Sequence, residues 1–214
     1  MKALLLILTL AVWTLNPAQA QTDWKFNTDK DGIKIYTSIL PESKVKAVKV
    51  EGTFNATPEQ LVSLLMDVNT GADWLYHTKS SVLLKQVSAN ELYYYSEINL
   101  PWPVHNRDFI SHLIVTRDPD TKVVTIAGPA VSGLVPQKQG VVRITDATGK
   151  WIITPIGNNQ VKVEYSIHLD PGGALPSWLV NMFVTEGPLK IFEGIKSQLQ
   201  KRAYKNSVLA SVGN

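Results

Sequence analysis

Hydrophobic and polar positions alternate over Lys44 to Phe54, with Val48, Val50 and Gly52 on one side and Lys49, Glu51 and Thr53 on the other. A period of two belongs to a strand with one face in a core and one in water, so this segment predicts a half-buried antiparallel strand. Gly32 to Thr37 alternates in the same way through Ile33 and Ile35, and Trp24 to Phe26 reads as a short lead-in. Further strand-like runs cover Ser81 to Ser88, Glu91 to Leu100, Arg107 to Arg117, Lys122 to Gly128, Gly140 to Asp146, Lys150 to Ile156 and Val161 to Leu169. Short turns such as Ala89-Asn90, Asp118-Pro119-Asp120, Ala147-Thr148-Gly149 and Gly157-Asn158-Asn159 join them, and strands so joined predict an antiparallel meander.

A helical period appears twice. Thr57-Pro58-Glu59-Gln60 supplies an N-cap hydroxyl, a proline at the first helical position and a glutamine able to reach back. It predicts a helix to about Val68 whose apolar face is Leu61, Leu64, Leu65 and Val68. After Pro176, apolar residues recur at helical spacing through Leu179, Met182, Phe183, Leu189, Phe192, Ile195 and Leu199. Gly187-Pro188 interrupts that run, where a kink or a split is expected.

The first twenty residues add a different kind of pattern. Lys2 precedes an apolar run from Ala3 to Leu15, then Asn16-Pro17, then Ala18-Gln19-Ala20 before Gln21. This is the form of a secretory signal peptide cleaved after Ala20, leaving residues 21–214 as one domain. The apolar run falls short of the roughly 20 residues that cross a bilayer. Export permits disulfides, yet the chain has no cysteine, so one core must supply the stability and no acylated cysteine can anchor it. A periplasmic or secreted monomer is expected. Loss of Lys2 with the leader lowers the formal net charge from +3 to +2. That balance is too even to point to nucleic acid or an anionic membrane surface.

Arg107 stands beside Asp108 at the start of an alternating strand, where a cation must be exposed, paired or held for a ligand. The segments around it, LPWPVHNRDF (Leu100 to Phe109) and DPGGALPSWLVN (Asp170 to Asn181), together resemble the START family of StAR-related lipid-transfer domains. With weaker matches between them, the resemblance extends over roughly residues 24 to 200. It implies an α+β helix-grip fold, a long curved antiparallel sheet wrapped around a C-terminal helix. It also implies a tunnel for one lipid, a phospholipid, a sterol or a similar molecule, reached through transient membrane contact. Each buried methylene contributes about 0.8 kcal/mol, so a sixteen-carbon chain contributes roughly 13 kcal/mol, and only a nearly closed apolar cavity competes with a bilayer.

The resemblance further implies that Arg107 faces the cavity and meets the ligand's polar group. Glu97 or Glu91 are its candidate partners, and Asp108, of opposite parity, is structural. Tyr93 and Tyr95 share parity with Glu97, so they line a tunnel that Glu97 faces, whereas Tyr94 goes with Leu92, Ser96 and Ile98. Met182 and Phe183 are the ligand-facing candidates of the last helix, and Trp102 is expected to pack. The strand Gly140 to Asp146 offers Arg143 but no aromatic, which departs from choline-binding relatives and leaves a sterol or another weakly polar lipid as good a fit. The segment Gly128 to Pro136 matches the position of the family's mobile loop, and its apolar Val131, Leu134 and Val135 suit a lid.

No nucleophilic cysteine exists, no glycine-rich phosphate loop follows a strand, and His77, His105, His112 and His168 match no zinc spacing. No cofactor, metal or catalytic residue is therefore expected. An enzyme of the same broad fold, using Glu97, His105 or Arg107, and a module with a filled core are the competing readings.

Overall fold

The computed structural model describes residues 23–39, 46–172, 176, 179 and 182–205. The leader read at residues 1–20 and most of the segment 173–181 lie outside the described residues. Alternation becomes ten strands: β1 (Lys25–Lys30), β2 (Ile33–Ile39), β3 (Lys46–Phe54), β4 (Thr78–Ser88), β5 (Glu91–Ile98), β6 (Asn106–Arg117), β7 (Val124–Pro129), β8 (Val141–Arg143), β9 (Asp146–Gly157) and β10 (Gln160–Asp170). They form one sheet in the order β1-β2-β3-β10-β9-β7-β6-β5-β4. β10 returns to pair with β3, from Val161 opposite Phe54 to Ile167 opposite Val48, and so joins the first strands to the last.

The run Gly140 to Asp146 departs from the expected meander. The chain leaves the sheet after Pro129 and comes back beside β6 in the direction of β6 itself, so β8 pairs with it in parallel, Asn106 to Val141 and Asp108 to Arg143. Antiparallel pairing resumes with β9, which starts at Asp146.

α1 (Pro58–Met66) carries the expected capping box, with Thr57 Oγ1 accepting from the Gln60 amide at 3.3 Å and Gln60 Oε1 accepting from the Thr57 amide at 2.9 Å. A 3₁₀ turn (Val68–Thr70) and α2 (Gly71–Trp74) follow, both unforeseen because VNTGADW has no apolar period. Near the C-terminus a π-helical turn, Met182–Glu186, runs into α3 (Gly187–Gln198), and α4 (Arg202–Lys205) closes the described chain. The interruption expected at Gly187-Pro188 is thus a widened turn, not a break. Pro188 has no N–H to donate and its ring would crowd a normal preceding turn, and the π geometry makes room for it.

α3 packs Phe192 and Ile195 into a core shared by one half of the sheet and α1, where Ile35, Val50 and Ile153 of the strands and Leu61 and Leu64 of α1 are fully buried. Gly52 lets this happen: a Cβ there would come within 2.9 Å of Cδ1 of the Phe192 ring. Phe54 and Trp151 flank the same ring, with centroids at 5.4 and 6.2 Å. This half of the molecule is a filled core, and the other half is not.

Candidate ligand-binding site

Beyond Trp151 the inward-facing residues of the sheet become small. Ser111 on β6 bridges to Ala130, and Gly128 on β7 lies opposite Gly149 on β9, two residues from Ala147, while Ser96 on β5 lies opposite Phe109. Side chains this short do not reach the helices opposite, and a cavity of about 230 Å³ remains. Its sheet wall is completed by Tyr94, Ile98, Phe109 and Leu113, by Ile126 on β7, and by Tyr165 and Ile167 on β10. Leu65 of α1, Val68 of the 3₁₀ turn, Trp74 of α2 and Leu75 just after it line the cavity from one side, and Met182, Phe183 and Ile191 from the C-terminal helix.

The lining is almost wholly apolar or aromatic. Burial pushes the Tyr94 hydroxyl up to about 12, and pushes the Tyr165 hydroxyl up as well, so both rings stay neutral at any ordinary pH. Ser96 Oγ donates to the Ser80 carbonyl at 3.3 Å, and the Ser111 hydroxyl is shared with Tyr94. Two polar atoms of the lining are buried without any hydrogen-bond partner, Trp74 Nε1 and Ser81 Oγ. Among the described residues no group of three or more histidine, cysteine or acidic side chains could hold a metal.

Met182 and Phe183 line the cavity. Arg107 shares the inward parity of Phe109 and Ser111 and is only 4% exposed, but its guanidinium is not part of the lining. It donates through Nε to the Pro171 carbonyl at 3.2 Å, through one terminal nitrogen to the Gly172 carbonyl at 3.2 Å, and through the other to the His105 carbonyl. Burial without a carboxylate partner among the described residues lowers its pKa.

Glu97, Tyr93 and Tyr95 project from the opposite, outer face of the sheet, because the lining takes the other parity, Tyr94, Ser96 and Ile98. Glu97 is 3% exposed there and is held by Lys79 at 2.7 Å, Lys138 at 3.0 Å, Asn106 at 3.0 Å and the Tyr95 hydroxyl at 3.3 Å. The Lys79 hydrogen bond leads the causes that hold its carboxyl down at about 2. Tyr93 stacks on His112 with centroids 4.1 Å apart, and His112 Nε2 lies 2.7 Å from Glu91. Arg143 grips both oxygens of Asp108, at 2.6 and 3.0 Å, on the same outer face, and that hydrogen bonding raises its pKa.

Arg143 also donates to the carbonyls of Val135 and Pro136, while Lys138 lies 4.6 Å over the Tyr95 ring. These contacts bind the 131–140 loop to the outer face, and Val131, Leu134 and Val135 are not among the described lining residues. The β5–β6 turn closes the cavity end instead: Leu100 and Val104 pack with Ile98, Tyr76, Leu179 and Met182. Trp102, expected to pack, stands 91% exposed at the tip of that turn because the flanking apolar residues, and not the indole, point inward. The alternation of small and large apolar residues in LPWPV was the available signal for this closure.

A START domain model matches residues 9–205. An uncharacterised protein of Pseudomonas aeruginosa is 33% identical over 92% of this chain and 96% of its own length. The human phosphatidylcholine transfer protein is 30% identical, over 80% of this chain and 81% of its own. The crystal structure of a STAR-related lipid transfer protein from Xanthomonas axonopodis superposes with a TM-score of 0.76 at 32% identity, covering 83% of this chain and 99% of that one. The helix-grip sheet, the C-terminal helix and the sequence match over nearly its whole length place this chain in the START domain family.

Proposed function

We propose that the protein binds one lipid in the hollow between the sheet and the C-terminal helix and moves it between membranes. The hollow itself carries this reading. An apolar hollow of about 230 Å³ forgoes the packing contacts that larger side chains would make there, a real cost to a marginally stable domain. A row of serine, alanine and glycine where larger side chains would pack makes sense when something else occupies the space. Membership of the START family and the phosphatidylcholine transfer relatives support a lipid as that occupant.

Binding without turnover fits the lining. Its serine hydroxyls are unpaired, bound to a carbonyl or shared with a tyrosine, and none is hydrogen-bonded to a histidine or carboxylate among the described residues. The β5–β6 turn is the proposed point of membrane contact, since an exposed indole suits the bilayer interface and the turn behind it seals the cavity. The leader at residues 1–20 is proposed to send the protein out of the cytoplasm.

Transfer of a fluorescent lipid from donor to acceptor vesicles tests the proposal. The protein should speed transfer, and Ala147→Trp, which fills the hollow from β9, should abolish the gain while leaving the fold intact. Equal transfer by the two proteins would show that the hollow is not the carrier.

A further inference from the structure

Resting on the lipid-binding reading above, we infer that the Tyr94 and Tyr165 hydroxyls form a hydrogen-bonding site inside the hollow. The ligand it takes is a lipid with an oxygen on its apolar body, a hydroxyl or a carbonyl, seated against them. Both residues line the cavity, and both are only half-buried although they face inward, so the surface they leave open faces the hollow. The Tyr165 hydroxyl makes no hydrogen bond among the described residues. That of Tyr94 shares the hydroxyl of Ser111, its partner across the β5–β6 register.

The sheet gathers these hydroxyls around one cleared spot. Gly128 lies opposite Gly149 in the β7–β9 register, and both belong to the cavity wall. A Cβ at Gly149 would lie 3.7 Å from the Tyr165 hydroxyl, and a Cβ at Gly128 would lie 3.1 Å from the Ser111 hydroxyl that Tyr94 shares. Across an antiparallel pair two such positions are about 5 Å apart. A ligand oxygen resting on the glycine pair therefore has hydroxyls on either side. The rings that carry them are fixed in place: Tyr165 stacks on Trp151 with centroids 4.0 Å apart, and Tyr94 meets Phe109 edge-on at 5.8 Å. A donor set in advance loses little freedom on binding.

The state of the two phenols says what the oxygen must do. Burial first, and then the neighbouring Tyr94, push the Tyr165 hydroxyl up, and burial pushes that of Tyr94 up, so both stay protonated and able to donate. Phenylalanine would fill the same space without carrying a hydroxyl into an apolar wall, where one left unpaired is costly. The same wall uses Ile98, Leu113, Ile126 and Ile167 elsewhere. A plain hydrocarbon chain leaves the Tyr165 hydroxyl unpaired, whereas an acceptor oxygen pairs with it.

The test uses heptadecane and dioctyl ketone, which have the same chain length and differ by one mid-chain carbonyl. The protein is incubated with vesicles holding equal amounts of the two and isolated by gel filtration, and its cargo is extracted and quantified by gas chromatography. The ratio of ketone to alkane should fall by about three- to tenfold in Tyr165→Phe, one hydrogen bond's worth, and should fall in Tyr94→Phe as well. Circular dichroism should show both variants folded. An unchanged ratio in both folded variants, whatever happens to total loading, overturns this inference alone. A wild-type protein that takes up neither probe overturns it together with the lipid-binding reading.

Discussion

Glu97 and Arg107 lie one register step apart on neighbouring strands, yet on opposite faces of the sheet: Glu97 is opposite Asp108, and Arg107 opposite Ile98. The carboxylate is therefore neutralised outside by two lysines, whereas the guanidinium inside keeps its charge and donates to three backbone carbonyls. Arg107 thereby ties the end of β10, at Pro171 and Gly172, to the β5–β6 turn, so its replacement removes a strut. Arg107→Leu should destabilise the protein by about 3 kcal/mol, since buried carbonyls lose their donors. Chemical denaturation should show this loss, and an unchanged midpoint would mean that water replaces the guanidinium without cost.

Glu97 makes stability depend on acid. Its carboxyl is held at about 2, below the ordinary 4.5, so the folded state keeps its full contribution above that ordinary value and loses it as pH falls towards 2. The shift amounts to about 3 kcal/mol at most. The half-exposed ammonium groups of Lys79 and Lys138 keep the true figure below that. Thermal melts of the wild type should steepen their decline over that acid range, and Glu97→Gln should be less stable at neutral pH but flatter in acid.

Gly194 of α3 sits against the backbone of Trp74, where an added Cβ would fall 2.8 Å from the carbonyl oxygen and 3.2 Å from the indole. A backbone atom cannot rotate away, so α2 and α3 must separate. Gly194→Ala should cost about 1–3 kcal/mol and should also shift the Trp74 indole that lines the cavity. Urea unfolding and lipid loading should fall together in this variant.

Trp102→Ala removes the exposed indole without touching the cavity lining. Vesicle cosedimentation and lipid transfer rate should drop several-fold while stability and lipid occupancy at saturation stay level. Loss of stability instead would place the indole in the core of the turn.

Much of this architecture was written in periodicity. Val48, Val50 and Gly52 on β3, the capping box at Thr57 and the apolar run through Phe192 and Ile195 are local signals, and local rules read them. The parity of Tyr94, Ser96 and Ile98 was equally visible, but which parity faces inward depends on what covers each face, and the outer face of β5 is covered by a loop from more than thirty residues away. Two buried faces on one strand defeat a rule that assumes one. The pairing of β10 with β3 and the parallel return of β8 are long-range events with no local mark. The cavity itself comes from small residues on four strands that become neighbours only in the folded sheet.

Native mass spectrometry of the purified protein, with extraction of whatever comes with it, measures the central claim most directly. One noncovalent lipid per chain should be present or readily loaded from vesicles, and Ala147→Trp should carry none. A wild-type protein that stays at its bare mass after exposure to mixed lipid vesicles would contradict the claim that the hollow exists to hold a lipid.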